Sequence, residues 1–458
     1  MGTIIITTAL GLFTMVLDML RLRKIIVAFT SVVLIGLSVY NVVAYWDLNR
    51  AFYSNMIIVN NFSVAFSSLL LLLTGLFIML ADWFFEDESQ KIADYVTLFI
   101  FALVGALMMV SYGNMASMFL GIETLSISVY VLTASNRRSQ SSTEAGLKYF
   151  LIGAFMTGFL TLGITLIYGV TGTFDIREMN AALVNLPFTP ILTVGVITLI
   201  SAMLYKSSVA PFHFWAPDVY TGAPALMTGF MLTVVKVAAF GAIYRLFAEA
   251  LVTSMPFVEP ILVMIVIMTF IISNFSGLLQ TSVKRIMAFS GISHAGFLLL
   301  AIIASNFSSA GNLFYYAAGY TLANVTAFAI IIYVSKVKGS DQVDSFKGLL
   351  FAKPWLSVAF IIALLSMAGI PPFAGFVGKY LVLLDTVKAQ YTYVAILAII
   401  TSLVSIFYYF KIVIAMTQKI EDVSSFTNPP VIYSIVAWIG VMSVIILGVV
   451  PKYFVGLF

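Results

Sequence analysis

Apolar blocks of about 20 residues recur from one end of this 458-residue chain to the other, and that repetition constrains the fold more than any single motif. A block of that length, wound as helix at about 1.5 Å per residue, crosses a hydrocarbon layer roughly 30 Å thick. Hydrophobic residues make up 62% of the chain and charged residues only 9%, outside the range of soluble domains, so the chain must be dissolved in lipid. Barrel strands would alternate apolar and polar residues instead. The blocks fall near residues 3–20, 25–45, 62–85, 95–111, 114–134, 146–170, 188–210, 225–249, 258–280, 285–304, 311–335, 355–369 with an extension to 388, 391–415 and 431–450. The expectation is an all-α integral membrane protein with 14 transmembrane helices.

Charge placement adds a topology. Of 23 basic residues, 14 fall in the loops that follow odd-numbered helices, among them Arg21, Arg23, Lys24, Lys91, Arg137, Arg138, Lys336, Lys338 and Lys353. By the positive-inside rule both termini face away from the cytoplasm. Residues Ile4 to Leu20 lack leading positive charges and are followed by the basic cluster, which reads as an uncleaved first helix. The net charge of +4 resides in short connections, so it gives no sign of nucleic-acid binding. Zero cysteines exclude disulfides and cysteine-ligated iron–sulfur clusters. Two histidines do not supply the several ligands that a metal or haem site recruits.

Against that background, four lysines and a glutamate stand inside the spans: Lys148, Lys206, Lys236, Lys379 and Glu123. Each charge at mid-bilayer opposes insertion by about 2.5–3.5 kcal/mol even on lenient scales, so the set needs pairing, interior water or neutralisation to offset it. A lysine that burial tunes toward neutrality can accept and release protons near pH 7, which is the chemistry of a relay. Glu123 and Lys206 are expected to partner each other across two helices.

Two helix interruptions flank these lysines. In Leu204 to Pro224 (LYKSSVAPFHFWAPDVYTGAP), Lys206 precedes Pro211 by five residues; in Met367 to Leu383 (MAGIPPFAGFVGKYLVL), Lys379 follows Pro372 by seven. Mirrored Gly/Pro breaks in the two halves of a membrane chain mark inverted repeats with functional sites at depth. Freed backbone groups cannot face lipid, so each break is expected to border protein or a wet cavity. His213 lies in the first break and His294 follows Val283 to Ser293; both suit proton handoff.

The motifs GIETLSISVYVL (Gly121 to Leu132), EAGLKYFLIGAF (Glu144 to Phe155), LYKSSVAPFHFWAPDVYTGAP, VKRIMAFSGISHAGF (Val283 to Phe297) and GIPPFAGFVGKYLV (Gly369 to Val382) together resemble a known family. It is that of the antiporter-like membrane subunits of respiratory NADH–quinone oxidoreductase, related to Mrp antiporter and membrane-bound hydrogenase subunits. The resemblance spans nearly the whole chain and is greatest to subunit N. LKYF is typical of that subunit, the chain lacks the C-terminal extension of subunit L, and Lys379 stands where subunit M carries a glutamate. It implies fourteen core helices, broken helices 7 and 12, and a five-helix unit repeated in inverted orientation. The divisions are then 1–90 for helices 1 to 3, 91–250 for the first repeat, 251–418 for the second, and 419–458 for the last helix.

Carried over by residue, the resemblance makes Glu123 the helix-five carboxylate, Lys206 the helix-seven lysine, Lys236 the central helix-eight lysine and Lys379 the exit-side helix-twelve lysine. His294, Lys148 and His213 join the hydrated axis. The implied function is proton translocation within a multisubunit NADH:quinone oxidoreductase of the bacterial inner membrane. This chain carries no cofactor, while partner subunits hold flavin mononucleotide, iron–sulfur clusters and the quinone. The partners are the other membrane subunits and the lipid bilayer. The competing reading is an Mrp-type cation/proton antiporter subunit or a hydrogenase antiporter-like subunit. The scarcity of deep carboxylates disfavours a dedicated Na⁺ site, since hard cations prefer oxygen ligands.

Overall fold

The computed structural model describes residues 1–20, 23–85, 92–185, 189–304, 310–419 and 426–455. Arg21 and Lys91, used above for topology, lie outside them. The chain opens with α1 (Gly2–Met19) and α2 (Arg23–Tyr45), and a small antiparallel hairpin of β1 (Arg50–Phe52) and β2 (Ile57–Val59) follows. Next come α3 (Asn61–Phe84), α4 (Ile92–Ser111), α5 (Met115–Thr133) and α6 (Gln140–Thr171). The start of α3 is set locally by a capping box: the Asn60 side chain accepts from the Ser63 N–H, and the Ser63 hydroxyl accepts from the Asn60 N–H.

A surface helix, α7 (Ile176–Asn185), was not among the expected elements. Ile176, Met179 and Leu183 are buried while Arg177 and Glu178 are exposed, so it is amphipathic and too short to span. Helix 7 of the expected series is then built from α8 (Pro190–Ser207) and α9 (Trp215–Gly222), separated by the first break. Helix 8 is α10 (Ala225–Phe230) and α11 (Lys236–Arg245), joined by a π-helical turn at Met231–Val235 and prolonged by another at Leu246–Ala250. The second half comprises α12 (Met255–Leu278), α13 (Val283–Ala304), α14 (Ala310–Lys338) and the short α15 (Leu349–Ala352). After it come α16 (Pro354–Ala368) and α17 (Ala374–Lys388) around the second break, then α18 (Thr392–Thr417), α19 (Val431–Val449) and α20 (Lys452–Val455).

Every apolar block read from the sequence coincides with one of these helices or broken pairs. Among the described residues, 12 helices are long and apolar enough to cross a membrane, and Gly2–Leu17 and Pro354–Ala368 are shorter apolar helices. Three spans are wholly enclosed by their neighbours over their most apolar windows: Ala225–Ala250, Val283–Ala304 and Ala310–Lys338. Around them, α1, α2, α6, α12, α18 and α19 turn large apolar side chains outward, such as Val43, Phe155, Met264 and Phe407. This is the arrangement lipid demands, with apolar side chains turned outward and buried polar groups facing other helices.

Both breaks are closed by hydrogen bonds. Ser208 ends α8 in the left-handed region (φ 59°), and its N–H donates to Leu204 O and Tyr205 O. The Ala210 N–H then donates to the Thr269 hydroxyl on α12 at 3.0 Å. Gly369 ends α16 at φ 87°, a conformation that suits glycine, and the Gly375 N–H donates to the Ser366 hydroxyl at 3.1 Å across the gap. Ala210–Pro211 and Pro371–Pro372 are cis.

One further basic residue is buried in a span. Arg245, inside the apolar block 225–249, is 0% exposed, and helix 8 continues through it into the π-helical turn Leu246–Ala250. Its guanidinium donates to Val110 O at 3.0 Å and lies 3.1 Å from Glu249. It also sits over the Phe62 and Tyr112 rings.

Candidate functional site

Lys206 stands in the last turn of α8, 7% exposed. Its ammonium donates to the Ser126 hydroxyl at 2.7 Å and to the Tyr130 hydroxyl at 3.2 Å, both on α5. Glu123 precedes Ser126 by three residues and Tyr130 by seven, so all three share one face of that helix. The expected direct pairing is nevertheless absent. Among the described residues no ion pair joins Glu123 to Lys206; the carboxylate accepts instead from Thr157 on α6 at 2.8 Å, and hydroxyls hold the lysine.

Lys236 is 2% exposed at the start of α11, where the preceding π-helical turn meets regular helix. Its ammonium donates to Gly291 O on α13 at 2.6 Å and to the Ser208 hydroxyl at the first break at 3.1 Å. Lys379, 8% exposed on α17, donates to Ala368 O at 3.1 Å, reaches the Ser402 hydroxyl at 3.5 Å and lies 5.2 Å from the centre of the Phe297 ring.

A physical logic unites these placements. Ser208 caps the C-terminal end of α8 and Ala368 is the last residue of α16, so Lys236 and Lys379 each face the negative end of a truncated helix. A helix terminus carries roughly half an elementary charge, and its final carbonyls lack intrahelical partners. Breaking a helix at depth thus creates a neutral acceptor site for a buried cation without adding a carboxylate.

Between these lysines lies a web of hydroxyls around His294. Its Nδ1 shares a 2.6 Å hydrogen bond with the Tyr316 hydroxyl on α14, and its Nε2 shares one of 3.3 Å with the Tyr409 hydroxyl on α18. Tyr409 is also 2.5 Å from the Ser290 hydroxyl. A neutral imidazole donates from one nitrogen and accepts at the other, so this bridge suits either tautomer. Chains of this kind, in which each hydroxyl both donates and accepts, are what proton movement requires.

Two expected members are placed differently. His213 is buried in the first break, but its Nδ1 has no partner among the described residues and no hydrogen bond ties it to the lysines. Lys148 is not in the buried axis at all. Its side chain is 44% exposed near the start of α6, 2.7 Å from Glu144 and 3.5 Å from Asp218. It borders a polar basin of about 660 Å³ that Lys284, Arg285 and Asp341 also line. The i,i+4 spacing of Glu144 and Lys148 is the ordinary pattern of an exposed ion pair and was available in the sequence.

The residues that sequence reasoning missed are mostly hydroxyls: Ser126, Tyr130, Ser208, Tyr316 and Tyr409. Nothing in their local sequence separates them from neighbouring serines and tyrosines. Among the described residues, no group of three or more His, Asp or Glu side chains is arranged to hold a metal ion.

Comparison with known proteins bears on this geometry. A family model described as NADH:quinone oxidoreductase/Mrp antiporter, TM, matches residues 112–405, the stretch that contains both breaks and all three buried lysines. NADH-quinone oxidoreductase subunit N of Flavobacterium psychrophilum is 41% identical over 452 residues, which cover 99% of each chain. The subunit of the same name from Cytophaga hutchinsonii is 39% identical over 454 residues, 98% of each chain. Among solved structures, a chain of respiratory complex I from Thermus thermophilus with bound aureothin is similar at TM-score 0.85 and 29% identity, covering 99% of this chain and 98% of that one. A chain of the Mrp complex from a Dietzia species shares the fold at TM-score 0.85 and 19% identity, over 100% of this chain and 95% of that one. With a matching family model over most of its length and full-length relatives at this identity, the chain belongs to the NADH:quinone oxidoreductase/Mrp antiporter family of transmembrane proteins.

Proposed function

We propose that this chain is the N-type membrane subunit of a proton-translocating NADH:quinone oxidoreductase, and that protons cross it by way of Lys206, Lys236, His294 and Lys379. The observation that carries the reading is the way the three lysines are held. Lys206 and Lys236 are buried in spans and Lys379 in the second half of the broken pair α16–α17, and each rests on hydroxyl or carbonyl oxygens in place of a carboxylate. Neutral acceptors solvate an ammonium without fixing the proton on it by a full opposing charge. Glu123, at the half-buried edge of the series, is the input: charge moving in a neighbouring subunit acts on it and, through α5, on Lys206. Lys236 hands the proton to the His294 web and Lys379 takes it toward the exit.

In this reading residues 91–250 and 251–418 are the two inverted repeats, with 1–90 and 419–458 flanking them. The membrane is the bacterial inner membrane and both termini face its non-cytoplasmic side. Electron transfer takes place on partner subunits that carry flavin mononucleotide and iron–sulfur clusters; this chain has no cysteine with which to ligate such a cluster.

The test is Lys236→Ala in the purified, reconstituted complex. Assembly and NADH oxidation by an artificial acceptor are expected to persist, while NADH-driven acidification of proteoliposomes falls by at least about tenfold. Normal acidification by a fully assembled Lys236→Ala complex overturns the proposal. Purification of the chain with Mrp-type subunits in place of dehydrogenase subunits would assign it to cation/proton antiport.

A further inference from the structure

Among the buried hydroxyls of the described residues that make no hydrogen bond, Tyr320 is the one beside Lys236. Tyr320 is buried on α14, one of the three fully enclosed spans, and its hydroxyl makes no hydrogen bond of ordinary geometry among the described residues, with the Asn324 side chain a donor close to it. Asn324, one turn along, directs its Nδ2 to the Tyr320 backbone carbonyl at 2.9 Å. A buried hydroxyl is ordinarily matched, so what Tyr320 faces bears on how it is used.

A Cβ placed on Gly291 would lie 3.3 Å from the Tyr320 hydroxyl and 3.6 Å from Lys236 Nζ, so the phenol and the ammonium converge on the same point of α13. The Tyr320 ring also lies over the His294 ring, 4.5 Å between centres at an interplanar angle of 35°. An ammonium carries three donors. Lys236 directs two of them, to Gly291 O and to Ser208, and both contacts are confined. A carbonyl cannot pass a proton on, and Ser208 lies back toward the first break. The third donor and the unmatched phenol are complementary.

We propose that Tyr320 is a positioning residue for the step from Lys236 to His294. A small movement that brings its hydroxyl onto Nζ lets it take the third Lys236 N–H in the ammonium state and donate to the amine in the neutral state, which holds Nζ on the His294 side of the helix during the step. No electrons move: one N–H bond on Lys236 breaks as a bond to hydrogen forms on the acceptor in the His294 web. Gly291 is part of the device, since a methyl group there would stand 2.3 Å from a Leu232 methyl and intrude between the two groups. The inference rests on the relay reading proposed above.

The experiment is Tyr320→Phe in the whole reconstituted complex, measured beside Lys236→Ala. Tyr320→Phe keeps the ring and its packing, so assembly and artificial-acceptor activity are expected to match the parent. Quinone-coupled turnover and acidification are expected to fall about tenfold, with a larger solvent deuterium isotope effect, which a purely structural role would not produce. If Lys236→Ala abolishes pumping while Tyr320→Phe pumps like the parent with an unchanged isotope effect, the Tyr320 assignment is wrong and the relay stands. If Lys236→Ala pumps normally, the relay itself is wrong. Should Tyr320→Phe fail to assemble, 3,5-difluorotyrosine at position 320 decides, because it keeps the hydroxyl and changes its acidity. A change of at least about twofold in coupled turnover supports the assignment, and none refutes it.

Discussion

Replacing Ser208 by glycine isolates the contact between Lys236 and the first helix break. Ser208 sits at φ 59°, where a side chain costs roughly 1–2 kcal/mol that glycine does not incur. Its hydroxyl accepts from Lys236 at 3.1 Å, a hydrogen bond to a charged group worth about 1.5–3 kcal/mol. In Ser208→Gly the relief of backbone strain and the lost hydrogen bond oppose each other, so the thermal midpoint of the complex is expected to stay nearly constant. The proton step at Lys236 feels only the lost bond. At about 1.4 kcal/mol per factor of ten, coupled turnover is expected to fall about tenfold. Ser208→Ala is the control: it loses the hydroxyl and keeps the strain, so its turnover matches that of Ser208→Gly while its midpoint lies lower. The assay pairs fluorescence-quench acidification in proteoliposomes with NADH oxidation rates, normalised to assembled complex. Parental turnover in Ser208→Gly would show that Lys236 does not depend on the break.

Lys148→Ala removes a half-exposed lysine whose partners are surface carboxylates, so pumping is expected within about twofold of the parent. A tenfold loss with normal assembly would return Lys148 to the path. Arg245→Met leaves Glu249 facing the position of a lost guanidinium, and breaking such a pair typically costs about 3–5 kcal/mol. The expected readout is a lower yield and thermal midpoint of the assembled complex, with the remaining complex still pumping; an unchanged midpoint would show that the pair holds nothing together.

What the sequence disclosed and what it withheld divide along physical lines. Hydropathy reports on lipid directly, so the blocks that became α3 or α19 were legible from composition and length alone. The breaks were legible because proline cannot continue a helix, and Pro211 and Pro371–Pro372 lie within apolar runs. Lys206, Lys236 and Lys379 stood out because a charge in a span is expensive whatever surrounds it. Their partners did not stand out. Ser126 lies 80 residues from Lys206, and Ser208 lies 28 from Lys236. A hydroxyl costs too little in a span to leave a mark in its own segment, and helical periodicity cannot show which helices meet. A direct contact of Glu123 with Lys206 was expected on the assumption that a buried cation needs a buried anion, and hydroxyls make that contact instead.

That assumption matters for how such a protein works. Two unit charges 4 Å apart attract by about 4 kcal/mol at an effective dielectric constant of 20, and by more as the surroundings dry. A carboxylate in contact with each lysine would therefore oppose every release by an amount that the next station must overcome. A hydroxyl or a terminal carbonyl contributes about 0.5–1.5 kcal/mol net to a neutral partner and roughly twice that to a charged one, so it favours the ammonium over the amine by far less than a carboxylate does. The two proline breaks make this possible in a bilayer. They present the Ser208 hydroxyl at the end of α8 to Lys236 and the Ala368 carbonyl at the end of α16 to Lys379, while the second Lys236 acceptor, Gly291 O, comes from within α13. The broken helices and the carboxylate-poor interior are then one design: charge is solvated by dipoles fixed in the fold, and in the proposed relay a moving proton meets no station that a full opposing charge makes a trap.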